Sequence, residues 1–261
     1  MTTTTSEPNA NETGRPPAIG GPAQAHPPRG KRRPRTRRQT VGVVVLLLAA
    51  AGFLAYSLPP YLGLDPSRAR LPVPAGFPAY YPLLVTHIFC GSVALVTGCL
   101  QLWPWLRRRH PAVHRWSGRA YFFGGVLPAG VAILGVAPLS FTGVVGQVSN
   151  TMLAVLWLPF TIAGYRAARQ RRYADHRRWM VRSFALTTSI VLNRVWLVVW
   201  IMVLMPRLST QYGGDMDALV LDAGLVSGWM SWTVNLLVAE WWLQRGGRAT
   251  RRARRARAVA A

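Results

Sequence analysis

Four side chains stand out because their chemistry could hold an anionic or haem-like ligand: His87, His114, His176 and Arg194. Imidazole nitrogens can ligate haem iron, and a guanidinium binds carboxylates and phosphates through paired hydrogen bonds. Arg194 is the most demanding of the four, since an arginine within an apolar segment costs at least about 2.5 kcal/mol to place in a membrane. We expect helix carbonyls and neutral side chains, a water-filled cavity or an anionic ligand to compensate its charge. The alternative is a structural arginine whose side chain reaches for the membrane surface.

His87 is the first residue of a helical face that consists of small and polar residues. Gly91, Ala94, Gly98 and Gln101 follow it at spacings of three and four residues, which place all five on one side of a helix. One interpretation is a close-packing seam, because small residues let neighbouring backbones approach in lipid. The other is a groove for a flat cofactor, with His87 as an axial ligand.

His114 and His176 occur in two similar basic segments, residues 114–121 and 175–183, each placed just before or at the start of an apolar stretch. The simpler interpretation is that both histidines anchor helices at the membrane interface. Alternatively, the two rings meet at one membrane surface as paired axial ligands of a haem, with Asp175 orienting His176.

The elements that must position these residues are membrane helices. Of the 261 residues 51% are hydrophobic and only 15% are charged, whereas a soluble domain carries about a quarter charged residues. A purely soluble enzyme is thereby excluded. Open backbone cannot lie in lipid, so we predict an all-α polytopic bundle, residues 41–245, of about six transmembrane helices. Each of the six apolar stretches has about the 20 residues that a span needs: 41–58, 81–103, 120–138, 146–166, 179–205 and 223–243.

The basic residues predict the orientation of this bundle. The chain has 31 lysine and arginine residues against 8 acidic ones, and all but four of the basic residues lie in 1–40, 104–119, 166–182 and 245–257. Every second connection is therefore basic, which predicts that both termini are cytoplasmic in a bacterial inner membrane. Counting 1.5 Å per residue from the span ends, the side chains of His87, Asn150 and Arg194 all fall in the outer half.

The two ends of the chain are expected to lie outside the membrane. Residues 1–40 combine threonine, proline, glycine and a basic block, which predicts a disordered basic cytoplasmic tail. Residues 246–261 form an arginine-rich cytoplasmic tail. An alternative for the first span is a cleaved export signal, since two adjacent arginines precede its apolar run.

The expected partners are the lipid bilayer and its anionic headgroups, which attract arginines near the cytoplasmic surface. A nucleic-acid role is disfavoured because the basic clusters are spread over every inner connection and form no single reading element. The chain has no G-x-S-x-G, no His-Glu-x-x-His and no glycine-rich phosphate loop, which favours a protein that is not an enzyme.

The same motifs resemble a known family. His87 in a glycine-bearing span, the segments 114–121 and 176–187, and Arg194 are similar to the bacterial predicted-membrane-protein family catalogued as domain of unknown function number 2306. The likeness covers about residues 80–205 and leaves out the N-terminal arm, the last span and the arginine tail. The resemblance implies a multi-span membrane fold and no established activity.

Two functions remain open. One is a multi-pass membrane protein that binds or passes a small ligand or lipid along the polar faces of the second and fifth spans. The alternative is a b-type haem or quinone-linked electron carrier, from a looser resemblance to b-type cytochromes. The chain departs from that pattern because His87 has no second histidine at its depth.

Overall fold

The computed structural model describes residues 1–3, 35–74 and 76–259, with side chains given for 1–3, 39–74 and 76–245. The chain divides into two compact units, Met1–Arg35 and Thr36–Ala261. The second unit contains the helices described below. Most of the predicted disordered tail, residues 4–34, lies outside the described residues.

All regular elements of the described residues are helical, which confirms the predicted all-α class. A π-helical segment, Ala120–Val126, joins α5 to α6 without interruption. In chain order the helices are α1 Arg35–Ser57, α2 Pro59–Leu62, α3 Tyr80–Gln101, α4 Pro104–Arg109, α5 Pro111–Arg119, α6 Leu127–Val136, α7 Gly143–Arg169, α8 Tyr173–Thr187, α9 Ser189–Leu204, α10 Leu208–Gln211 and α11 Met216–Val259.

Five helical segments of the described chain are long and apolar enough to cross a membrane. The predicted sixth span, 223–243, lies within α11 and is not among them, since serines, an asparagine and Glu240 reduce its apolar character. The five segments are Gln39–Ser57, Tyr80–Gln101, Pro111–Leu139, Gly143–Arg169 and Ser189–Gln211.

Helices extend into both of the segments that were predicted to be tails. Helix α1 begins at Arg35, inside the predicted N-terminal tail, and α11 continues to Val259 through most of the predicted C-terminal one. Alanine and arginine are among the best helix formers, and the C-terminal segment consists largely of them. The side chains of residues 246–261 are outside the described part of the chain.

The π-helical segment has a local cause in Pro128. Proline has no N–H, and its ring clashes with the carbonyl four residues before it, here that of Gly124. The helix widens in the preceding turn, where the Leu127 N–H donates to the Phe122 carbonyl five residues back. Tyr121 belongs to this segment and is 1% exposed.

The predicted fifth span, 179–205, is interrupted at Thr188 between α8 and α9. Three consecutive hydroxyls donate backward to carbonyls of α8: Thr187 to the Ser183 carbonyl, Thr188 to the Phe184 carbonyl and Ser189 to the Leu186 carbonyl. Such back-bonding competes with the main-chain ladder and bends helices.

The helices pack mainly in three groups: α7 with α8, α9 with α11, and α3 with α6 and the π-helical segment. Helix α1 is attached through a smaller apolar cluster, in which its Ala50 packs with Leu95 and Cys99 of α3. Contacts at one end of the bundle join the arginine-rich connections to one another. They include those between Gln101 and His114, Gly164 and His176, Arg177 and Trp242, and Arg182 and Glu240.

Candidate binding cavity and histidine pair

A cavity of about 750 Å³ lies in the half of the bundle opposite the arginine-rich end. Helices α1, α3, α6, α7, α9 and α11 contribute to its wall, and its lining is mainly apolar. Residues of the connections on that side, among them Arg70, Phe141 and Thr142, also line it. Three residues predicted to share the outer half, His87, Asn150 and Arg194, all lie in this wall.

His87 is held in one tautomer by the main chain. Its Nδ1–H donates to the Ala129 carbonyl of α6 at 2.9 Å, because a carbonyl can only accept. The Nε2 atom makes no hydrogen bond to any described residue. The next turn of α3 brings Gly91 into the same wall.

The rest of the small-residue face of α3 is a packing seam. A Cβ atom added at Gly125 would lie 2.9 Å from the Ala94 backbone, so the two chains touch there. At Gly98 an added Cβ would lie 3.0 Å from the Phe184 ring. Gln101 closes the seam by donating to the His114 carbonyl at 2.9 Å. The face is therefore a cavity wall at its His87 end and a close-packed contact toward Gln101.

Arg194 lies one helical turn beyond Ile190 in the cavity wall, and its side chain is exposed. It makes no hydrogen bond or ion pair with any described residue. The neighbouring Asn193 instead accepts a hydrogen bond from Ser227 at 2.9 Å, which ties α9 to α11. Asn193 therefore holds α9 against α11, while the guanidinium of the adjacent Arg194 has no partner among the described residues.

Two charged residues of the cavity wall were not among the predicted site residues. Asp217, in the first turn of α11, lines the cavity without pairing with Arg194. Arg70 donates to the Tyr56 carbonyl at 2.9 Å and lies 4.0 Å above the centre of the Tyr56 ring. Both residues belong to outer connections in the sequence, and only the fold brings them to the cavity.

The floor of the cavity is a buried cluster of hydroxyls. Tyr121 Oη lies 2.6 Å from Ser183 Oγ and 2.7 Å from Thr187 Oγ1. Ser183 Oγ also lies 2.6 Å from Thr161 Oγ1, and the Trp157 indole N–H donates to Thr187 at 3.0 Å. Every one of these side chains has a partner, as buried polar groups require. Trp157 and Thr187 face the cavity, so the hydroxyl cluster separates it from the arginine-rich half.

The arginine-rich half is joined by an ion pair between α8 and α11. The Arg182 guanidinium binds the Glu240 carboxylate through two nitrogens, with Nη2 3.0 Å from Oε2. The two side chains are 21% and 33% exposed, and Arg182 also lies over the Trp179 ring.

His114 and His176 lie in that half, away from the cavity. The His176 Nδ1–H donates to the Gly164 carbonyl at 2.9 Å, which leaves its Nε2 unbonded. His114 Nδ1 is buried and has no hydrogen-bond partner among the described residues. Of the four predicted site residues, His87 and Arg194 therefore line the cavity, whereas His114 and His176 lie at the arginine-rich end.

Comparison with known proteins gives one match. A family model described as "Predicted membrane protein (DUF2306)" matches residues 84–243, which is more than half of the chain. The resemblance predicted from sequence is confirmed, but its expected range of about 80–205 was too short: the match includes the predicted last span, 223–243. No curated protein and no solved structure matches the chain.

Proposed function

The chain belongs to this family of predicted membrane proteins (DUF2306), and we propose that it binds a small amphipathic molecule with an anionic group in its outer cavity. The observation that carries the proposal is Arg194, an arginine without a partner among the described residues, in the wall of a cavity inside an apolar bundle. An intramembrane arginine marks a functional position unless its charge is otherwise compensated.

The dimensions and lining of the cavity indicate the kind of ligand. Its volume of about 750 Å³ falls within the roughly 300–1,000 Å³ of typical small-molecule sites. A mainly apolar wall with a few polar groups favours an apolar body with a single polar end. The interruption at Thr188 supports the same site, because broken helices often form binding sites in membrane transporters.

The charges of the wall favour an anionic end. Among the described residues that line the cavity, Arg70 and Arg194 contribute two positive charges and Asp217 contributes one carboxylate. A guanidinium binds a carboxylate or a phosphate with two parallel hydrogen bonds, and the opposite charges make these bonds stronger than those to a neutral ligand. We place the anionic group at Arg194, with His87 Nε2 as a second polar contact.

The test compares a cavity-filling substitution with a matched control. Gly91 lines the cavity and has open space around a new Cβ, so Gly91→Leu fills the cavity. Gly52 of α1 has the same open space and does not line the cavity, so Gly52→Leu is the control. The probe is a dansylated fatty acid, whose fluorescence rises in apolar sites, titrated into the full chain in nanodiscs.

We expect saturable binding of the probe to the wild type and to Gly52→Leu, and little to Gly91→Leu. Arg194→Gln should weaken binding about 10-fold or more, because a hydrogen bond to a charged group contributes about 1.5–3 kcal/mol. The methyl ester of the probe should bind the wild type as weakly as the acid binds Arg194→Gln. Equal binding of the acid to wild type and Gly91→Leu, or of acid and ester to the wild type, would contradict the proposal.

We also propose that the arginine-rich end faces the cytoplasm of a bacterial inner membrane and meets anionic headgroups there. The distribution of basic residues supports this orientation. A phosphatase reporter that is active only outside the cytoplasm should be active when fused at Gly213 and inactive when fused after Ala261. The opposite pattern of reporter activity would show that the arginine-rich end faces away from the cytoplasm.

The haem or quinone-linked electron carrier remains the second candidate function. It is supported by His176, whose Nδ1–H is fixed by a carbonyl, and by the buried Nδ1 of His114 at the same end of the bundle, which has no partner among the described residues. The full chain purified from haem-replete cells should then show Soret absorption that His176→Ala abolishes. A spectrum without Soret absorption would eliminate the haem form of this candidate.

A further inference from the structure

We propose that a second pocket, at the arginine-rich end, binds the phosphate headgroup of an anionic phospholipid from the adjacent leaflet. This pocket has a volume of about 330 Å³ and is distinct from the outer cavity. The proposal rests on the attraction between the arginine-rich end and anionic headgroups and assigns it to this one pocket. The pocket is lined by Gln39, Gly42, Val43, Leu46, Leu102, Pro104, Arg107, Arg177 and Trp242.

Two guanidiniums in the pocket are available to an anion. Arg107 makes no hydrogen bond or ion pair with the described residues, and Arg177 only lies over the Trp242 ring, 4.8 Å from its centre. Stacking occupies the face of a guanidinium and leaves its N–H groups free to donate. No carboxylate of the described residues lines the pocket, and Asp175, two residues before Arg177, is paired with Arg172.

The remaining lining favours a lipid over a soluble anion. Val43 and Leu46 of α1 and Leu102 after α3 give the pocket an apolar side that a free phosphate would not use. Trp242 adds an indole, a ring that is enriched where headgroups meet hydrocarbon. Charge and apolar surface together match a phosphate joined to an acyl chain.

Two variants separate the pocket from general charge attraction. Arg107→Gln with Arg177→Gln removes both pocket charges. Arg108→Gln with Arg115→Gln removes the same charge from exposed positions at the same end that do not line the pocket.

A third variant, Gly42→Leu, fills the pocket while both arginines stay, since a Cβ at Gly42 meets nothing within 4 Å. Its expected effect is steric rather than electrostatic. The matched substitution outside the pocket is again Gly52→Leu of the same helix.

The experiment titrates the full chain in detergent with short-chain phosphatidylglycerol or phosphatidylcholine and counts bound lipids by native mass spectrometry. We expect the wild type and the Arg108/Arg115 variant to prefer phosphatidylglycerol. The Arg107/Arg177 variant should lose about fivefold in affinity for each arginine. Gly42→Leu should lose binding, and excess inorganic phosphate should not displace the lipid.

Three outcomes would overturn the site. Equal losses in the two double-arginine variants would show that only the total charge matters, which leaves general headgroup attraction standing. Unchanged binding in Gly42→Leu would show that the pocket is not used. Displacement by inorganic phosphate would identify a soluble anion as the ligand. Thermal unfolding of each variant serves to exclude those that are not folded.

Discussion

The side-chain amide of Asn235 on α11 donates a hydrogen bond to the main-chain carbonyl of Ala185 on α8, at 3.1 Å. Ala185 lies just before the interruption at Thr188, where the main-chain ladder of the helix is disturbed. In lipid an unpaired carbonyl costs several kcal/mol, and the Ala185 carbonyl accepts hydrogen bonds from both the Asn235 amide and the Thr188 hydroxyl. Asn235 thus stabilises the broken helix that borders the outer cavity.

Replacement of Asn235 with leucine should destabilise the bundle by about 1 kcal/mol, in the range measured for hydrogen bonds between membrane helices. The measurement is unfolding of the detergent-solubilised chain by increasing denaturant. Thr233→Val is the matched control, since Thr233 bonds only to the Trp229 carbonyl of its own helix. A loss no greater than that of the control would show that the break does not depend on Asn235.

Two adjacent glycines of the π-helical segment should respond in opposite ways to alanine. A Cβ at Gly125 would lie 2.9 Å from the Ala94 backbone, whereas one at Gly124 meets only a Val93 methyl group at 3.8 Å. Gly125→Ala should therefore cost about 1–3 kcal/mol through overpacking. Gly124→Ala should be neutral or slightly stabilising, because alanine is the better helix former. Thermal unfolding in detergent gives both values, and similar values for both would argue against the close contact with α3.

Removal of the Tyr121 hydroxyl should destabilise the chain by about 1 kcal/mol, because Tyr121→Phe deletes two interhelical hydrogen bonds. Tyr165→Phe is the control: its ring stacks on Phe122 in the same region, and its hydroxyl has no partner among the described residues. The two variants are compared by denaturant unfolding. If both lose the same stability, the hydroxyl cluster contributes nothing measurable.

Composition was sufficient to predict the helical class and most of the spans, since about 20 apolar residues in sequence leave few alternatives in a membrane. Counting residues from the span ends predicts a similar depth for His87, Asn150 and Arg194, and all three line one cavity. Depth along a helix can be read from one sequence. Which helices are neighbours cannot, so Arg70 and Asp217 were not expected there.

The interruption of the fifth predicted span was missed because apolar composition continues through it from 179 to 205. The local signal was present in the run Thr187, Thr188 and Ser189, three hydroxyls that can each bond to a carbonyl of the preceding turn. A single hydroxyl of this kind is common in membrane helices. The second donor to the Ala185 carbonyl, Asn235, lies 50 residues away in the sequence, so this contact could not be predicted from the local pattern.

The cluster beneath the cavity, formed by Tyr121, Thr161, Ser183 and Thr187, consists of side chains with no formal charge. A displacement of uncharged groups across the bilayer does no work against the transmembrane voltage. None of these hydroxyls has an ordinary pKa near neutrality, so a proton gradient does not change their protonation either. If the hydroxyl cluster opens, the free energy must come from a ligand that binds the open form of the protein more tightly than the closed form.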